Sequence, residues 1–160
     1  MCRPWRWLPS PASPTQIPCE RPVHERLLAI DYGRVRHGLA VSDGLGMASH
    51  PLAALQRKNP AQDLRHLAKV IDDRDIRRLV VGLPLNMDGT EGPMAKEVRK
   101  FGDRLGSELS LPVHYEDERL STDEAESLLM DRGLRPSERR RLRDSLAAAV
   151  ILQALLDRER

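Results

Sequence analysis

Apolar and polar positions along residues 26–160 follow two different periods, which predict strands and helices in alternation. Continuous or alternating apolar segments indicate strands at 27–30, 37–42, 47–52, 76–82 and 111–115. Apolar positions at helical spacing, with start and stop residues, indicate helices from Pro60, from Pro93 to about Gly106, from Ser121 to Gly133, and from Asp144. Three strands in a meander, followed by alternating helices and strands, predict an α/β fold with a mixed five-stranded sheet flanked by helices.

The first 25 residues differ in composition from the rest of the chain. They hold six of the 12 prolines, both tryptophans and both cysteines, Cys2 and Cys19. Proline at this density prevents helices and sheet ladders, and the segment lacks the apolar region and cleavage site of a secretory signal. We therefore expect residues 1–25 to be a flexible Pro-rich arm, or a product of the assigned start, and residues 26–160 to form one domain.

Composition excludes some classes of protein and permits others. No stretch approaches 18 consecutive apolar residues, which excludes a membrane-spanning helix, and 3% aromatic residues argue against base-stacking platforms for single strands. The absence of cysteine after residue 19 fits a reducing cytoplasm. The net charge is only +2, but 22 of the 26 basic residues are Arg, the side chain suited to bidentate phosphate contacts. Composition therefore permits a phosphate-binding protein without demanding one.

Three acidic positions stand where α/β proteins place ligands. Asp31 ends the first apolar strand, Glu118 follows the last strand, and Asp144 begins the final helix. Carboxylates that converge on one edge repel each other unless protons or cations neutralise them, and Mg²⁺ or Mn²⁺ would do so. Two such ions can activate a water and stabilise the leaving oxygen of a phosphodiester. Two simpler interpretations stay open, with Asp144 as a plain helix N-cap and residues 116–118 as a charged turn.

A basic run borders the last of these acids. Six arginines fall between residues 132 and 143, with one acid, Glu138, among them. Such a run either holds a polyanion with salt-dependent affinity or is a solvated linker between helices. Arg34 and Arg36, in the turn after Asp31, either add contacts to the same edge or only solubilise the turn. The candidate nucleic-acid-binding residues are Arg34, Arg36, Arg119, Arg135, Arg139, Arg140, Arg141 and Arg143.

Four blocks of the sequence resemble the YqgF family, also called RuvX, of Holliday junction resolvases and pre-16S rRNA nucleases. The blocks are Leu28–Gly33 with Gly38–Asp43, Val80–Thr90, Asp117–Thr122, and Asp144–Leu152. They stand in the family's order and span residues 27–155. The resemblance implies a ribonuclease-H-like fold and a cytoplasmic, metal-dependent nuclease acting on structured nucleic acid. It also implies catalytic, metal-binding acids at Asp31, Glu118 and Asp144, with Glu118 preferred to Asp117 in its block.

One position departs from the usual pattern of ribonuclease-H-like nucleases, which carry their second acid on the fourth strand. Here that strand ends in Val81-Gly82-Leu83-Pro84, without an acid. The second ligand must then be Glu118, one strand and about 5 Å further out. Glu reaches further than Asp, which makes the replacement feasible. A weakly held metal, with slow or conditional catalysis, would be a natural consequence.

These features support three hypotheses of function. The first is metal-dependent hydrolysis of phosphodiester bonds in RNA or branched DNA, in pre-16S rRNA 5′-end processing, Holliday-junction resolution, or both. The second is a nucleic-acid-binding ribosome-assembly factor without catalysis. The third is a nucleotide-binding domain of the sugar-kinase and actin type, since Asp31-Tyr32-Gly33 and Gly38 resemble its phosphate turn, but one 160-residue chain lacks the second lobe. Four alternatives stay open at this point. They are whether the substrate is RNA or DNA, whether the enzyme is an endonuclease or an exonuclease, whether it binds one metal or two, and whether it is a monomer or a homodimer.

Overall fold

The computed structural model of the protein describes residues 24–119, 127 and 135–160, and of residues 139–141 only the backbone. The elements with described bounds, in chain order, are β1 (Arg26–Asp31), β2 (Arg36–Ser42), β3 (Ser49–Gln56), α1 (Pro60–Arg74), β4 (Ile76–Leu83), α2 (Pro93–Leu109), β5 (Val113–Asp117) and α3 (Pro136–Glu159). A meander followed by alternating helices and strands confirms the predicted α/β fold.

The five strands form one mixed sheet in the order β3-β2-β1-β4-β5. β1 is antiparallel to β2, and β2 is antiparallel to β3. β1, β4 and β5 are mutually parallel, with Ile30 opposite Val81 and Gly82 opposite Glu116. The carboxyl ends of these three strands therefore lie at the same edge of the sheet, where open α/β sheets place their ligands.

Helices cover both faces of the sheet. The α3 face is formed by residues such as Ala29 and Ala40, which pack with Ala148 of α3. The α1–α2 face is formed by the alternate residues, such as Ile30, which pack with Leu67 of α1 and residues of α2. Because successive side chains of a strand point to opposite faces, each strand contributes to both cores. Small residues on the α3 face let that helix lie close to the sheet.

Two strands, β3 and β5, differ from the prediction by more than one residue at their ends. β3 starts at Ser49 and extends to Gln56, because it pairs with β2 along its whole length, from Ser42 opposite Ser49 to Arg36 opposite Gln56. β5 starts after Pro112, whose nitrogen has no proton to donate to the ladder, and it continues to residue 117. The pairing partner, rather than the local apolar pattern, sets these ends.

The last helix begins eight residues before the predicted position. Pro136 takes the first helical position, and the backbone N–H of Arg135 donates to Glu138 Oε2 at 3.0 Å. Together these residues supply the start of α3. Asp144 therefore lies inside the helix, and the interpretation of Asp144 as its N-cap is wrong.

Some predictions concern residues outside the described ranges. They are the Pro-rich arm up to residue 23 and the helix expected at 121–133, of which only residue 127 is described, in helical conformation. Residues 24 and 25 directly precede β1, and the division of the chain at residue 25 stays a prediction. Among the helices of the described residues, none is long and apolar enough to cross a bilayer.

Candidate active site at the carboxyl edge of the sheet

Asp31 is the last residue of β1, the central strand, and lies on the α3 face. Ala29, two residues earlier, belongs to the core under α3, and side chains two apart share a face. The β1–β2 register places Asp31 opposite Gly38. The β1–β4 register, continued one step past Ile30, places Gly82 on its other side. The acid is therefore flanked by a glycine on each neighbouring strand.

Glu118 follows β5 directly and reaches back over β4. Its backbone N–H donates to the Leu83 carbonyl at 3.2 Å, which extends the β4–β5 pairing by one step. A Cβ built on Gly82 would lie 3.4 Å from Glu118 Oε2, so the carboxylate sits above β4. From there the side chain shares a hydrogen bond with Asp31. The length of the Glu side chain lets its carboxylate reach across β4, over Gly82, to Asp31.

Asp144 comes to the same edge from α3. A Cβ built on Gly38 would lie 1.9 Å from the Asp144 carbonyl oxygen, which shows that the helix backbone rests directly on β2. The Asp144 carboxylate forms an ion pair with Arg36 of β2, with 3.1 Å between Oδ2 and Nε. Its negative charge also acts on Asp31, whose pKa it raises. The structure thus places the three predicted acids near one edge of the sheet, on three separate parts of the chain.

The electrostatics of the site are dominated by the contact between Asp31 and Glu118. Burial raises the pKa of Asp31 to about 8, and the Glu118 charge, the shared hydrogen bond and the Asp144 charge act in the same direction. Burial also raises the pKa of Glu118, while the hydrogen bond from Asp31 opposes that rise. Two adjacent buried carboxylates cannot both ionise cheaply, so near neutral pH the pair shares a proton. A divalent cation can take the place of that proton.

The residues fit a hard cation in chemistry, although they do not form a closed cage. Three carboxylates at one edge are an all-oxygen donor set of the kind Mg²⁺ and Mn²⁺ prefer. In the described part of the chain, no three His, Cys, Asp or Glu side chains are gathered around one point. Asp31 and Glu118 are in contact, whereas the charge of Asp144 is directed to Arg36. The first two therefore form the centre of the candidate metal site, with Asp144 beside them.

Three predicted nucleic-acid-binding arginines lie in or directly after the strands that form the site. Arg36 is paired with Asp144, and Arg34 is exposed, 3.7 Å from a glutamate of α2. Arg119 binds the carboxylate of Asp117 and the carbonyl of the loop after β4. Arg119 therefore joins two loops of the protein, while Arg34 presents its charge to solvent.

Four arginines of the run, Arg139, Arg140, Arg141 and Arg143, lie in the first half of α3, whereas Arg132 is outside the described residues. Arg135 precedes the helix, Arg143 stands one residue before Asp144, and both are exposed. The side chains of Arg139, Arg140 and Arg141 are outside the described residues, although their backbone is helical. The part of the run from residue 139 to residue 143 is thus carried on the same helix as the third acid.

Sequence reasoning missed Gly38 and Gly82 as parts of the site. Gly38 leaves room for the backbone of α3, and a Cβ at Gly82 would press on Ile151 of α3 and lie in ordinary contact with the carboxylate of Glu118. A signal was available, because glycine inside an apolar strand often marks the close approach of another backbone or group. The side chain that occupies the space above Gly82 could not be read from that signal.

Comparison with known families decides the relationship. A family model described as "RuvX: Holliday junction resolvase" matches residues 25–158. The chain belongs to the RuvX family. A relative of this RuvX chain from Anaeromyxobacter sp. (strain K), named "Putative pre-16S rRNA nuclease", is 51% identical over 133 residues, covering 83% of this chain and 97% of the relative. A relative of the same name from Koribacter versatilis (strain Ellin345) is 43% identical over 136 residues, covering 85% and 89%.

Among solved structures, the fold of this RuvX chain is similar to that of "T. thermophilus RuvC in complex with Holliday junction substrate". The TM-score is 0.54 at 20% sequence identity, over 85% of this chain and 96% of that chain. At this identity the likeness concerns the fold, and it confirms the ribonuclease-H-like mixed sheet. Family membership confirms the resemblance itself. The roles of the three acids and of the arginines stay predictions.

Proposed function

We propose that this protein is a metal-dependent nuclease that hydrolyses phosphodiester bonds in structured nucleic acid, at the 5′ end of pre-16S rRNA or in Holliday-junction DNA. The observation that carries the proposal is the convergence of Asp31, Glu118 and Asp144 on one edge of the sheet. The first two are in hydrogen-bond contact, and burial raises both their pKa values. Such an arrangement costs folding free energy, which is typical of a functional site.

Two kinds of substrate are supported by what this chain resembles. The relatives are named for pre-16S rRNA, and the structural neighbour was solved with a Holliday junction. Both substrates are polyanions with phosphodiester backbones, so the same acids and arginines would serve either. A cytoplasmic location belongs to the same proposal, because the chain has no cysteine after residue 19.

The acids have distinct tasks in this proposal. Asp31, Glu118 and Asp144 would hold one or two Mg²⁺ or Mn²⁺ ions, which supply water activation and charge stabilisation for displacement at phosphorus. Asp31 is fixed by its place on the central strand, and Glu118 by its backbone hydrogen bond to Leu83. Arg36 offsets the charge of Asp144 from the neighbouring strand. The sheet therefore sets the spacing of the carboxylates before any substrate arrives.

Exposed arginines around this edge would hold the nucleic acid. The side chain of Arg34 is 73% exposed, and Arg135 and Arg143 are exposed on the side of α3. Cations that bind backbone phosphates release condensed counterions, so the affinity is expected to fall steeply as salt rises. These contacts position the strand and carry no sequence information by themselves.

A second candidate is a nucleic-acid-binding ribosome-assembly factor without catalysis. The ion pair between Arg36 and Asp144 favours it, because a carboxylate that is already neutralised by a guanidinium competes less well for a metal. In this case the same arginines would bind RNA, and the buried pair of Asp31 and Glu118 would keep its proton.

A cleavage assay distinguishes the two candidates. The substrates are a 16S rRNA fragment with a 5′ extension and a four-way DNA junction, each with Mg²⁺, with Mn²⁺ or with a chelator. We expect Mn²⁺-dependent cleavage of at least one substrate, and an Asp31→Asn variant that binds but does not cleave. The exposed Asp72 of α1 supplies a matched control, since Asp72→Asn should cleave normally. Tight binding without cleavage under every condition would favour the assembly factor.

A further inference from the structure

The position beside Asp31 on β4 is a glycine, and β4 carries no acid between Ile76 and Leu83. The carboxylate that contacts Asp31 comes instead from Glu118, beyond the end of β5. Its Oε2 and Cδ lie 3.4 Å and 3.6 Å from the place that a Cβ of residue 82 would take. These are ordinary contact distances. A Cβ alone would fit against the carboxylate, whereas a larger side chain that extends toward the carboxylate would compete with it for the same space.

A second group borders the same space. Cδ1 of Ile151, on α3, would lie 2.7 Å from a Cβ at position 82, so a side chain there requires Ile151 to move. This atom is the far end of a flexible side chain, so Ile151→Val removes it and leaves the rest of the side chain in the core. The steric conflict with the helix can therefore be separated from the conflict with the carboxylate.

We infer that Gly82 is a positioning residue, whose missing side chain leaves a space above β4 that one carboxylate fills from the neighbouring strand. The space, rather than the identity of Glu118, then defines where the second acid stands. A carboxylate supplied from position 82 itself should replace that of Glu118. The metal-binding consequences of this inference rest on the proposed function, whereas its steric part does not.

The first experiment moves the acid from one strand to the other. Glu118→Ala is expected to weaken Mn²⁺ binding by about tenfold or more, measured by electron paramagnetic resonance of the free ion. In the Glu118→Ala/Ile151→Val background, Gly82→Asp should restore most of that affinity. Gly82→Asn, of the same size but without the charge, should restore none. Equal Mn²⁺ affinities of the Asp and Asn variants would overturn the inference.

The second experiment keeps Glu118 and varies size at position 82. With Ile151→Val, Gly82→Ala should keep the Mn²⁺ affinity within about threefold, whereas Gly82→Val should lower it about tenfold or more. Val favours strands, so folding is expected to survive, as checked by thermal melting. Gly44→Ala is the control, because its Cβ would come no closer than 3.7 Å to its neighbour, Arg26. Equal affinities of the Ala and Val variants at position 82 would contradict the inference.

Crystal structures of the same variants separate this inference from the proposed function. A wild-type protein that binds no Mn²⁺ would remove the proposed function, but the steric part can still be decided. Gly82→Val/Ile151→Val should break the hydrogen bond between Asp31 and Glu118, and Gly82→Ala/Ile151→Val should retain it. An intact hydrogen bond in the Val variant would refute the inference whatever the metal data show. If the Val variant does not fold, Gly82→Ser/Ile151→Val, with one atom beyond Cβ, takes its place.

Discussion

Two polar groups near the same edge of the sheet lie on opposite faces and have very different surroundings. Asp31 of β1 is on the α3 face and shares a hydrogen bond with Glu118. His37 of β2 is on the α1–α2 face, which it shares with Leu39, and is fully buried. Neither ring nitrogen of His37 has a hydrogen-bond partner among the described residues. Asp31 thus has a hydrogen-bond partner, whereas the ring of His37 has none among the described residues.

The surroundings of His37 are aromatic and apolar. Its ring centroid is 4.8 Å from that of Phe101 and 5.2 Å from that of Tyr32. Burial lowers the pKa of His37 to about 4, with the charge of Arg57 acting in the same direction and that of Asp63 opposing it. A cavity of about 230 Å³ between α1 and α2 adjoins the ring, and none of the three acids lines it. The imidazole is therefore neutral near pH 7 and stands apart from the acids.

The difference shows that a buried polar group indicates chemistry only together with its partners. On the α3 face, the backbone of α3 rests on Gly38 and the carboxylate of Glu118 lies over Gly82, so Asp31 meets other carboxylates. On the α1–α2 face, larger side chains such as Phe101 surround His37. The first arrangement suits a cation. The second lowers stability, because an unpaired buried polar group loses its hydration without compensation.

The largest effect is expected from a change to Asp31, which contacts Glu118 on the α3 face. Asp31→Asn should lower the single-turnover cleavage rate by about a thousandfold or more, because the metal loses a charged ligand. The fold should survive, since the amide can still donate to Glu118. Rapid-quench kinetics and thermal melting measure the two quantities. A rate within tenfold of wild type would show that Asp31 does not bind the metal.

A second variant tests how closely α3 approaches the sheet. Gly38→Ala should destabilise the protein by about 3 kcal/mol or more in urea denaturation, because its Cβ would overlap the backbone of Asp144 and no side-chain rotation can relieve this. Gly44→Ala should leave the free energy of unfolding almost unchanged. A tolerated alanine at position 38 would mean that the helix lies further from β2 than the structure shows.

The third variant replaces His37, the unpaired polar residue on the α1–α2 face. His37→Leu should raise the free energy of unfolding by about 1–3 kcal/mol at pH 7, because an unpaired polar ring is replaced by an apolar group of similar size. Cleavage should not change, since His37 lies on the face opposite the acids. A loss of stability would show that the ring nitrogens are satisfied after all.

The lowered pKa of His37 also predicts the direction in which the stability of the protein changes with pH. The pKa of His37 is about 4 in the folded protein against 6.5 ordinarily, so between these values the unfolded chain binds a proton that the folded protein does not. Stability should be lost as pH falls through this window, by about 3 kcal/mol, and His37→Leu should abolish the loss. The raised pKa of Asp31 acts with the opposite sign. The comparison is therefore made with chelator, in the Asp31→Asn background, by urea denaturation at several pH values.

The smallest expected effect concerns the ion pair at the edge of the site. Arg36→Gln should tighten Mn²⁺ binding by about threefold, because a cation that competes for Asp144 is removed. Arg34→Gln, whose nearest carboxylate belongs to α2, is the control and should leave Mn²⁺ binding unchanged. Unchanged affinity in Arg36→Gln would mean that Asp144 does not contribute to the metal site.

Much of the fold could be predicted because its signals are local. The apolar run from Leu27 to Ile30 and the prolines that open α1 and α2 act within a few residues, and the structure confirms those elements. Asp31 could be placed at the carboxyl end of a buried strand for the same reason. The start of α3 could not be predicted, because Pro136 and Glu138 lie within a basic run and Asp144 is itself a residue type typical of a helix N-cap.

The sequence by itself determined the order of the described strands and helices and which acids stand at strand ends, because the apolar period and the chain order encode these directly. Only the tertiary structure decided that Glu118 leans over Gly82 to reach Asp31, and that Arg36 pairs with Asp144. These contacts join residues far apart in the chain. Their distances depend on strand register and on how closely α3 rests on the sheet, which no local pattern specifies.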